Sequence, residues 1–245
     1  MSGIEWKSHD SMIELDKIYC EDCLQGMKRI DDGSIDLIVT DPPYDLYHSN
    51  VGSHFSLSQR TARRTEKLGF ISNSFDYEAV FNEFLRLQKI PNMIIFCSNR
   101  QISRFMGFFE QRGLSTNLLV WYKTNASPLC AHKYMSDLEY IVYVRGKGAF
   151  FNDDAPFRCK SRIFTSGLAD SSLHPTQKGI DHIRQYIIVH SREGETILDP
   201  FMGSATTAVA CIKERRHFVG FELNEEYFRI GQKRIDEAKR ELTLF

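Results

Sequence analysis

The chain has 245 residues, 42% of them hydrophobic and 26% charged, with a formal net charge of −1. That composition excludes a collagen-like rod, a coiled coil and a largely disordered chain, and the length suits one domain or a core with a small insertion. No apolar run approaches the roughly 20 residues of a spanning helix, and the N-terminus (MSGIEWKSHD) lacks the apolar core of a signal peptide, so a cytoplasmic protein is expected.

Along the chain, short β-branched and aromatic runs alternate with helical patterns, which marks an α/β sheet protein. Strands are expected over 17–20, 35–40, 93–97, 118–122, 140–144, 196–198 and 217–222. Helices are expected over 24–30, 77–87, 100–111, 178–190, 206–215 and 225–240. Several strands are almost wholly apolar, as strands covered on both faces must be. In the fourth helix Ile180, Ile183 and Ile187 recur at helical spacing and define a buried face. Of the six cysteines only Cys20 and Cys23 have metal-like spacing, and no second pair or nearby histidine pair completes a zinc set. Free thiols and no metal are therefore expected.

Two stretches break the alternation. Residues 45–73 are polar and carry Arg60, Arg63, Arg64 and Lys67 in their middle. Residues 145–173 mix Arg145, Lys147, Arg158, Lys160 and Arg162 with Phe150, Phe151, Phe157 and Phe164. Irregular segments longer than ~15 residues in a compact domain are usually functional or mobile. Because the net charge is near zero, any polyanion contact must come from local basic groups such as these.

Near the start, Thr40-Asp41-Pro42-Pro43-Tyr44 directly follows the apolar strand 35–40. In an open parallel sheet the loop after a strand's carboxyl end is where ligands bind. Standing alone, Pro-Pro is a rigid turn. With a carboxylate before it and an aromatic ring after it, the turn suits one difficult reaction. The exocyclic amine of a nucleobase is a poor nucleophile because its lone pair is delocalised into the ring. Two acceptors binding its two N–H groups favour a pyramidal nitrogen and free that pair. The Asp41 carboxylate and the Pro42 carbonyl can be those acceptors, with Pro43 stiffening the turn. Tyr44 can stack on a base that has left the duplex.

Late in the chain, 195–222 reads strand, glycine-containing turn, helix, strand. Asp199-Pro200-Phe201-Met202-Gly203-Ser204 closes the first strand, and Glu222 follows Asp199 by 23 residues at the end of the next. A glycine lets the backbone approach a ligand, and an acidic residue at the next strand's end can hold two ribose hydroxyls. A pyrophosphate-binding turn would want three glycines, so the single Gly203 disfavours NAD and FAD. S-adenosylmethionine, which has no phosphate, fits better. Two late strands cannot make a stable open sheet. The others must come from the N-terminal side, which gives a permuted order.

These motifs, together with Glu21-Asp22-Cys23-Leu24, Trp121-Tyr122-Lys123, His174-Pro175-Thr176-Gln177-Lys178 and Gly220-Phe221-Glu222-Leu223, span almost the whole chain. In this order the chain resembles the beta-group, circularly permuted DNA amino-methyltransferases of the N(4)/N(6)-methyltransferase family. The resemblance implies a Rossmann-like S-adenosylmethionine-dependent methyltransferase fold, with a seven-stranded, mostly parallel sheet and helices on both faces. It implies a single domain, 1–245, holding a mobile DNA-facing loop at 45–73 and a target-recognition insertion at 145–173. Asp41, Pro42, Pro43 and Tyr44 would be catalytic. Asp199, Phe201, Gly203, Ser204 and Thr206 would line the methionine and ribose part of the cofactor site. Glu222, with Leu223 beside it, would bind the ribose; Asp22 and Cys23 would meet the adenine; Thr176 and Lys178 would lie near the carboxylate. Arg60, Arg63, Arg64, Lys67, Arg158, Lys160 and Arg162 would contact DNA.

The expected partner is double-stranded DNA, with a homodimer and a companion restriction endonuclease further implied, and no membrane. Aspartate opening the catalytic motif is typical of the adenine-N6 enzymes, serine of the cytosine-N4 enzymes. Ala205 stands where the family usually has glycine, which could tighten the methionine pocket, and Gly179 where it usually has proline. Cytosine N4 is the alternative target; an RNA base or protein amide, or a non-catalytic DNA-binding module, is the more distant rival. Trp121 reads as core rather than site.

Overall fold

In the computed structural model, residues 13–43, 76–126, 134–167 and 179–242 are described. In chain order the first half consists of β1 (Lys17–Tyr19), α1 (Cys23–Met27), β2 (Leu37–Thr40), α2 (Tyr77–Leu87), β3 (Asn92–Cys97), α3 (Ile102–Glu110) and β4 (Ser115–Lys123). There follow β5 (Leu138–Arg145), a 3-10 turn (Phe157–Lys160), β6 (Ile163–Ser166), α4 (Ile180–His190), β7 (Thr196–Asp199), α5 (Thr206–Lys213), β8 (His217–Phe221) and α6 (Glu225–Leu242).

The strands form one sheet in the order β1-β8-β7-β2-β3-β5-β4-β6. The apolar strands β2, β3 and β7 are buried at every residue and lie in its middle, as two-sided burial requires. Late β7 pairs in parallel with early β2, Leu37 opposite Ile197 and Ile38 opposite Leu198. That pairing is the expected permutation in physical form: the two ends of the chain meet at the sheet's centre. Among the described strands most pairs are parallel, and β5 alone runs against its neighbours β3 and β4.

Alternation along the strands divides the core in two. Leu37, Val39, Phe96 and Ile197 pack with residues of α4, α5 and α6 on one face. Ile38, Met93, Ile95 and Leu198 pack with residues of α1, α2 and α3 on the other. Helix α2 buries Val80, Phe81, Phe84 and Leu87 at helical spacing. At about 1.5–3 kcal/mol for each fully buried large apolar side chain, packing holds this short helix in place more than its own propensity does. In α4, Ile183 and Ile187 are buried as expected, with Ile180 at the margin of the same cluster.

The sheet has eight strands among the described residues where seven were expected. The addition is β6, inside the stretch 145–173 that reads as irregular. Its four residues alternate between exposed and half-buried, and it exists by pairing in parallel with the outer edge of β4, Val120 opposite Ile163. No local apolar run announces such an edge strand.

Candidate active site

The described helices that follow β7 and β2 pack on opposite faces of the sheet: α5 follows β7 on one side, and α2 is the next described helix after β2 on the other. A crevice opens outside the carboxyl ends of parallel strands at such a switch point. The two expected motifs meet there. Thr40 at the end of β2 donates its hydroxyl to Asp199 Oδ1 at 2.9 Å, and Thr207 donates to Asp199 Oδ2 at 2.6 Å. The Phe201 N–H reaches Asp199 Oδ1 at 3.1 Å. Asp199 is thus a buried junction between β2, β7 and α5. Burial pushes its carboxyl up to about 7, against the pull of these three donors and with a further upward push from nearby Asp41.

Asp41 follows Thr40 directly and lies between two neighbours. Its charge adds to the burial that pushes the Cys97 thiol, at the end of β3, up to about 12. Pro42 is buried, and Asp41 and Pro43 are half-buried. The Pro43 carbonyl accepts from Gln101 Nε2 at 3.2 Å. Gln101 is 1% exposed, and its own carbonyl oxygen takes the Ser98 N–H and hydroxyl, both at 2.9 Å. Two successive prolines have no N–H with which to anchor their turn, so this side chain provides an anchor from the next strand's end. The motif reading missed Gln101, because glutamine beyond a strand end carries no pattern of its own.

On the other side of Asp199, Gly203 has φ 54° and Ala205 φ 62°. The Gly203 N–H donates to Glu222 Oε2 at 2.8 Å, and the Asn224 N–H to Glu222 Oε1 at 2.7 Å. Burial raises the Glu222 carboxyl above its ordinary value. Glu222 stands two strand positions from Asp41 across the sheet order β8-β7-β2, roughly 10 Å at the usual spacing. Both carboxylates therefore follow the carboxyl ends of their parallel strands, on the same edge of the sheet. Ser204 and Thr206 are buried, Phe201 is half-buried and Leu223 is exposed beside Glu222. Ala205 thus answers its departure from the family pattern: it adopts the left-handed conformation for which glycine is usual.

The donor set fits S-adenosylmethionine. The two oxygens of Glu222 take the Gly203 and Asn224 N–H groups, with the Leu223 N–H adding to the pull, and a carboxylate's roughly four acceptor sites leave capacity for a ribose hydroxyl. The Glu222 carboxylate favours a cationic, phosphate-free ligand at this end of the sheet. Asp22 accepts the Gln25 N–H at 3.1 Å as the cap of α1. Cys23 is buried in the core, its thiol pushed up to about 12 by burial.

Other expected residues are placed apart. Arg162 lies just before β6, with Leu118, Val120 and Ile163 around it. Arg158 and Lys160 sit on the 3-10 turn, where Lys160 Nζ donates to the Asp153 carbonyl at 2.7 Å. Strand β6 is four positions from β2, roughly 19 Å away. Trp121 is core, with its indole N–H on the Ser166 hydroxyl at 2.9 Å. Tyr44, Arg60, Arg63, Arg64, Lys67, Thr176 and Lys178 lie outside the described residues, as do the whole of 45–73 and the segment 168–173 of the expected insertion. Among the described residues no group of three His, Cys, Asp or Glu side chains could hold a metal ion, and no helix is long and apolar enough to cross a membrane.

A family model described as DNA methylase matches residues 35–233. The type II methyltransferase M2.DpnII of Streptococcus pneumoniae is 30% identical over 242 residues, covering 90% of this chain and 89% of its own. The type II methyltransferase M2.LlaDCHI of Lactococcus lactis subsp. cremoris is 28% identical, covering 89% and 88%. Among solved structures, the M1.HpyAVI–SAM complex is 29% identical with a TM-score of 0.63, covering 89% of this chain and 98% of that one. The cytosine-N4-specific PvuII DNA methyltransferase shares the fold at 13% identity, with a TM-score of 0.66 over 94% of this chain and 93% of its own.

Proposed function

The chain belongs to the DNA methylase family, and from that premise we propose that it methylates the N6 amine of adenine in double-stranded DNA. It is a DNA methyltransferase, and its methyl donor is S-adenosylmethionine. The observation that carries amine methylation by these two motifs is the Thr40–Asp199 hydrogen bond, which ties the strand leading into Asp41 to the strand that opens the cofactor turn.

When bound, S-adenosylmethionine supplies a methyl group made electrophilic by its sulfonium. The work of this chain is positioning. The Asp41 carboxylate and the Pro42 carbonyl each accept one N–H of the target amine and turn its lone pair toward the donor. As the nitrogen–carbon bond forms, the methyl's carbon–sulfur bond would break and leave its electron pair on a neutral thioether; the nitrogen becomes acidic, and Asp41 takes the released proton and passes it to water. Gln101 holds the Pro43 carbonyl back, so that the preceding carbonyl faces the amine. Tyr44 stacks on the flipped base.

Asp199, Phe201, Gly203, Ser204 and Thr206 hold the methionine and ribose part of the cofactor, Glu222 and Leu223 its ribose side, Asp22 and Cys23 its adenine, and Thr176 and Lys178 its carboxylate. Residues 45–73, with Arg60, Arg63, Arg64 and Lys67, close over the DNA. Residues 145–173 read the sequence, and Arg158, Lys160 and Arg162 contact phosphates or bases. One continuous sheet supports a single domain over 1–245. A homodimer, a companion restriction endonuclease and a cytoplasmic location complete the reading.

Adenine is preferred because aspartate opens the catalytic motif. The test is digestion of DNA modified by the purified chain and mass identification of the nucleoside: N6-methyladenine is expected, and N4-methylcytosine would overturn the assignment. Asp41→Ala should abolish transfer while leaving cofactor affinity within about threefold; substantial turnover in that variant would defeat the mechanism. Charge reversal at Arg158 and Arg162 should change rate, site preference and salt sensitivity. If all three hold, the recognition assignment is wrong.

A further inference from the structure

The C-terminal helix α6 packs against the cofactor turn. A Cβ at Gly231 would lie 3.1 Å from the Ala205 Cβ and 3.4 Å from the Gly203 carbonyl oxygen, so the absence of a side chain lets the helix approach this closely. One turn further on, Arg234 Nη1 donates to the Ser204 carbonyl, to the Ser204 hydroxyl at 3.0 Å and to the Thr206 hydroxyl at 3.2 Å. The side chain is half-buried. Burial lowers the pKa of its guanidinium, offset only by nearby Glu237. Arginines elsewhere on the helices, such as Arg86, Arg184 and Arg229, pair with carboxylates; Arg234 spends its charge on three oxygens of one turn instead. A cation withdrawn from water needs such compensation.

We propose that Arg234 is a positioning residue for the cofactor turn, and that it sets affinity for S-adenosylmethionine by holding Ser204 and Thr206 before the cofactor arrives. This rests on the reading that residues 199–206 and Glu222 form the cofactor site. A turn ordered in advance does not have to be ordered by binding, and affinity gains accordingly. Because Arg234 touches neither Asp41 nor Gln101 in its hydrogen bonding, the methyl-transfer step at saturating cofactor should be nearly independent of it.

The experiment is calorimetric titration of the whole chain with S-adenosylmethionine, alongside steady-state kinetics on DNA. Arg234→Gln should weaken the cofactor Kd about 10- to 100-fold, the effect of losing charge-assisted hydrogen bonds. At saturating cofactor, kcat should stay within about threefold and the KM for DNA should not move. Arg234→Lys should recover part of the affinity, since an ammonium can reach the same oxygens without the planar fork. A lowered melting temperature with unchanged cofactor Kd would reduce Arg234 to a packing role and overturn the proposal; so would a fall in kcat alone. Glu222→Gln separates the two levels of the claim. If it too leaves cofactor affinity intact, the site reading fails rather than the role of Arg234. Should Arg234→Gln not fold, Arg234→Lys combined with Thr206→Val decides: strictly additive losses in affinity would refute the coupling.

Discussion

The Thr40 hydroxyl and the Asp199 carboxylate, 159 positions apart in the chain, share a buried hydrogen bond of 2.9 Å. It closes the seam between early β2 and late β7 at the point where the cleft opens. Thr40→Val keeps the shape and deletes the donor. The variant should lose about 1–3 kcal/mol of stability, the range for a hydrogen bond to an ionisable group, read as a lower urea midpoint with unchanged m-value. A loss below about 0.5 kcal/mol would mean that the bond contributes nothing beyond packing.

Asp199 also predicts a pH dependence. Its carboxyl is raised to about 7 in the fold, against about 3.9 in an unfolded chain. Below both values it is protonated in either state and costs nothing. Between them the unfolded chain releases the proton that the folded chain keeps, so the stability owed to this group falls as pH rises, levelling off above about 7. Asp199→Asn is neutral throughout. The urea midpoint of the natural chain should therefore drop relative to that of the variant between about pH 4.5 and about pH 7.5. Parallel profiles would show that Asp199 ionises normally.

Most of this architecture was legible because its signals are local. The apolar runs of β2, β3 and β7 and the helical spacing of Ile183 and Ile187 need no knowledge of distant residues. The spacing from Asp199 to Glu222 was legible for the same reason, as it spans a single strand-turn-helix-strand unit. What escaped was created by convergence. Strand β6 is a strand only because β4 offers an edge. Gln101 meets a carbonyl 58 positions away, and Arg234 looks like one more charge on an amphipathic helix until the turn at Ser204 is folded against it. The left-handed backbone at Ala205 escaped differently: alanine has no preference for that conformation, so the surrounding turn imposes it.

That backbone makes its own prediction. At φ 62° and ψ 35° Ala205 occupies a region that costs an L-residue about 1–2 kcal/mol. Glycine there would remove the cost but would lose a buried methyl, about 0.8 kcal/mol, and add freedom to the unfolded chain, about 0.5–1 kcal/mol. The terms nearly cancel, so Ala205→Gly should fall within about 0.5 kcal/mol of neutral by chemical denaturation. Ala205→Val has no such compensation. A β-branched side chain in the left-handed region, pressed toward Gly231, should cost about 3 kcal/mol. A fully stable valine variant would show that the turn adopts another conformation in solution.

Gln101 allows the catalytic turn to be tested apart from the cofactor site. Its amide nitrogen serves the Pro43 carbonyl and its oxygen serves Ser98, so Gln101→Glu preserves the second set of bonds and replaces the first with two facing acceptors. Gln101→Leu removes both sets. If the turn needs this anchor, both variants should lower kcat by at least about tenfold while the cofactor Kd stays within about twofold. Stability separates them. Leucine leaves the Ser98 N–H and the Pro43 carbonyl without a partner, at about 1–3 kcal/mol for each group that water cannot reach. Glutamate keeps the Ser98 bonds and burdens the fold mainly through its buried charge, a cost relieved as the carboxyl takes up a proton at low pH. Urea midpoints of Gln101→Glu should accordingly rise toward those of the natural chain as pH falls. A kcat unchanged in both variants would show that the two prolines hold the turn without help.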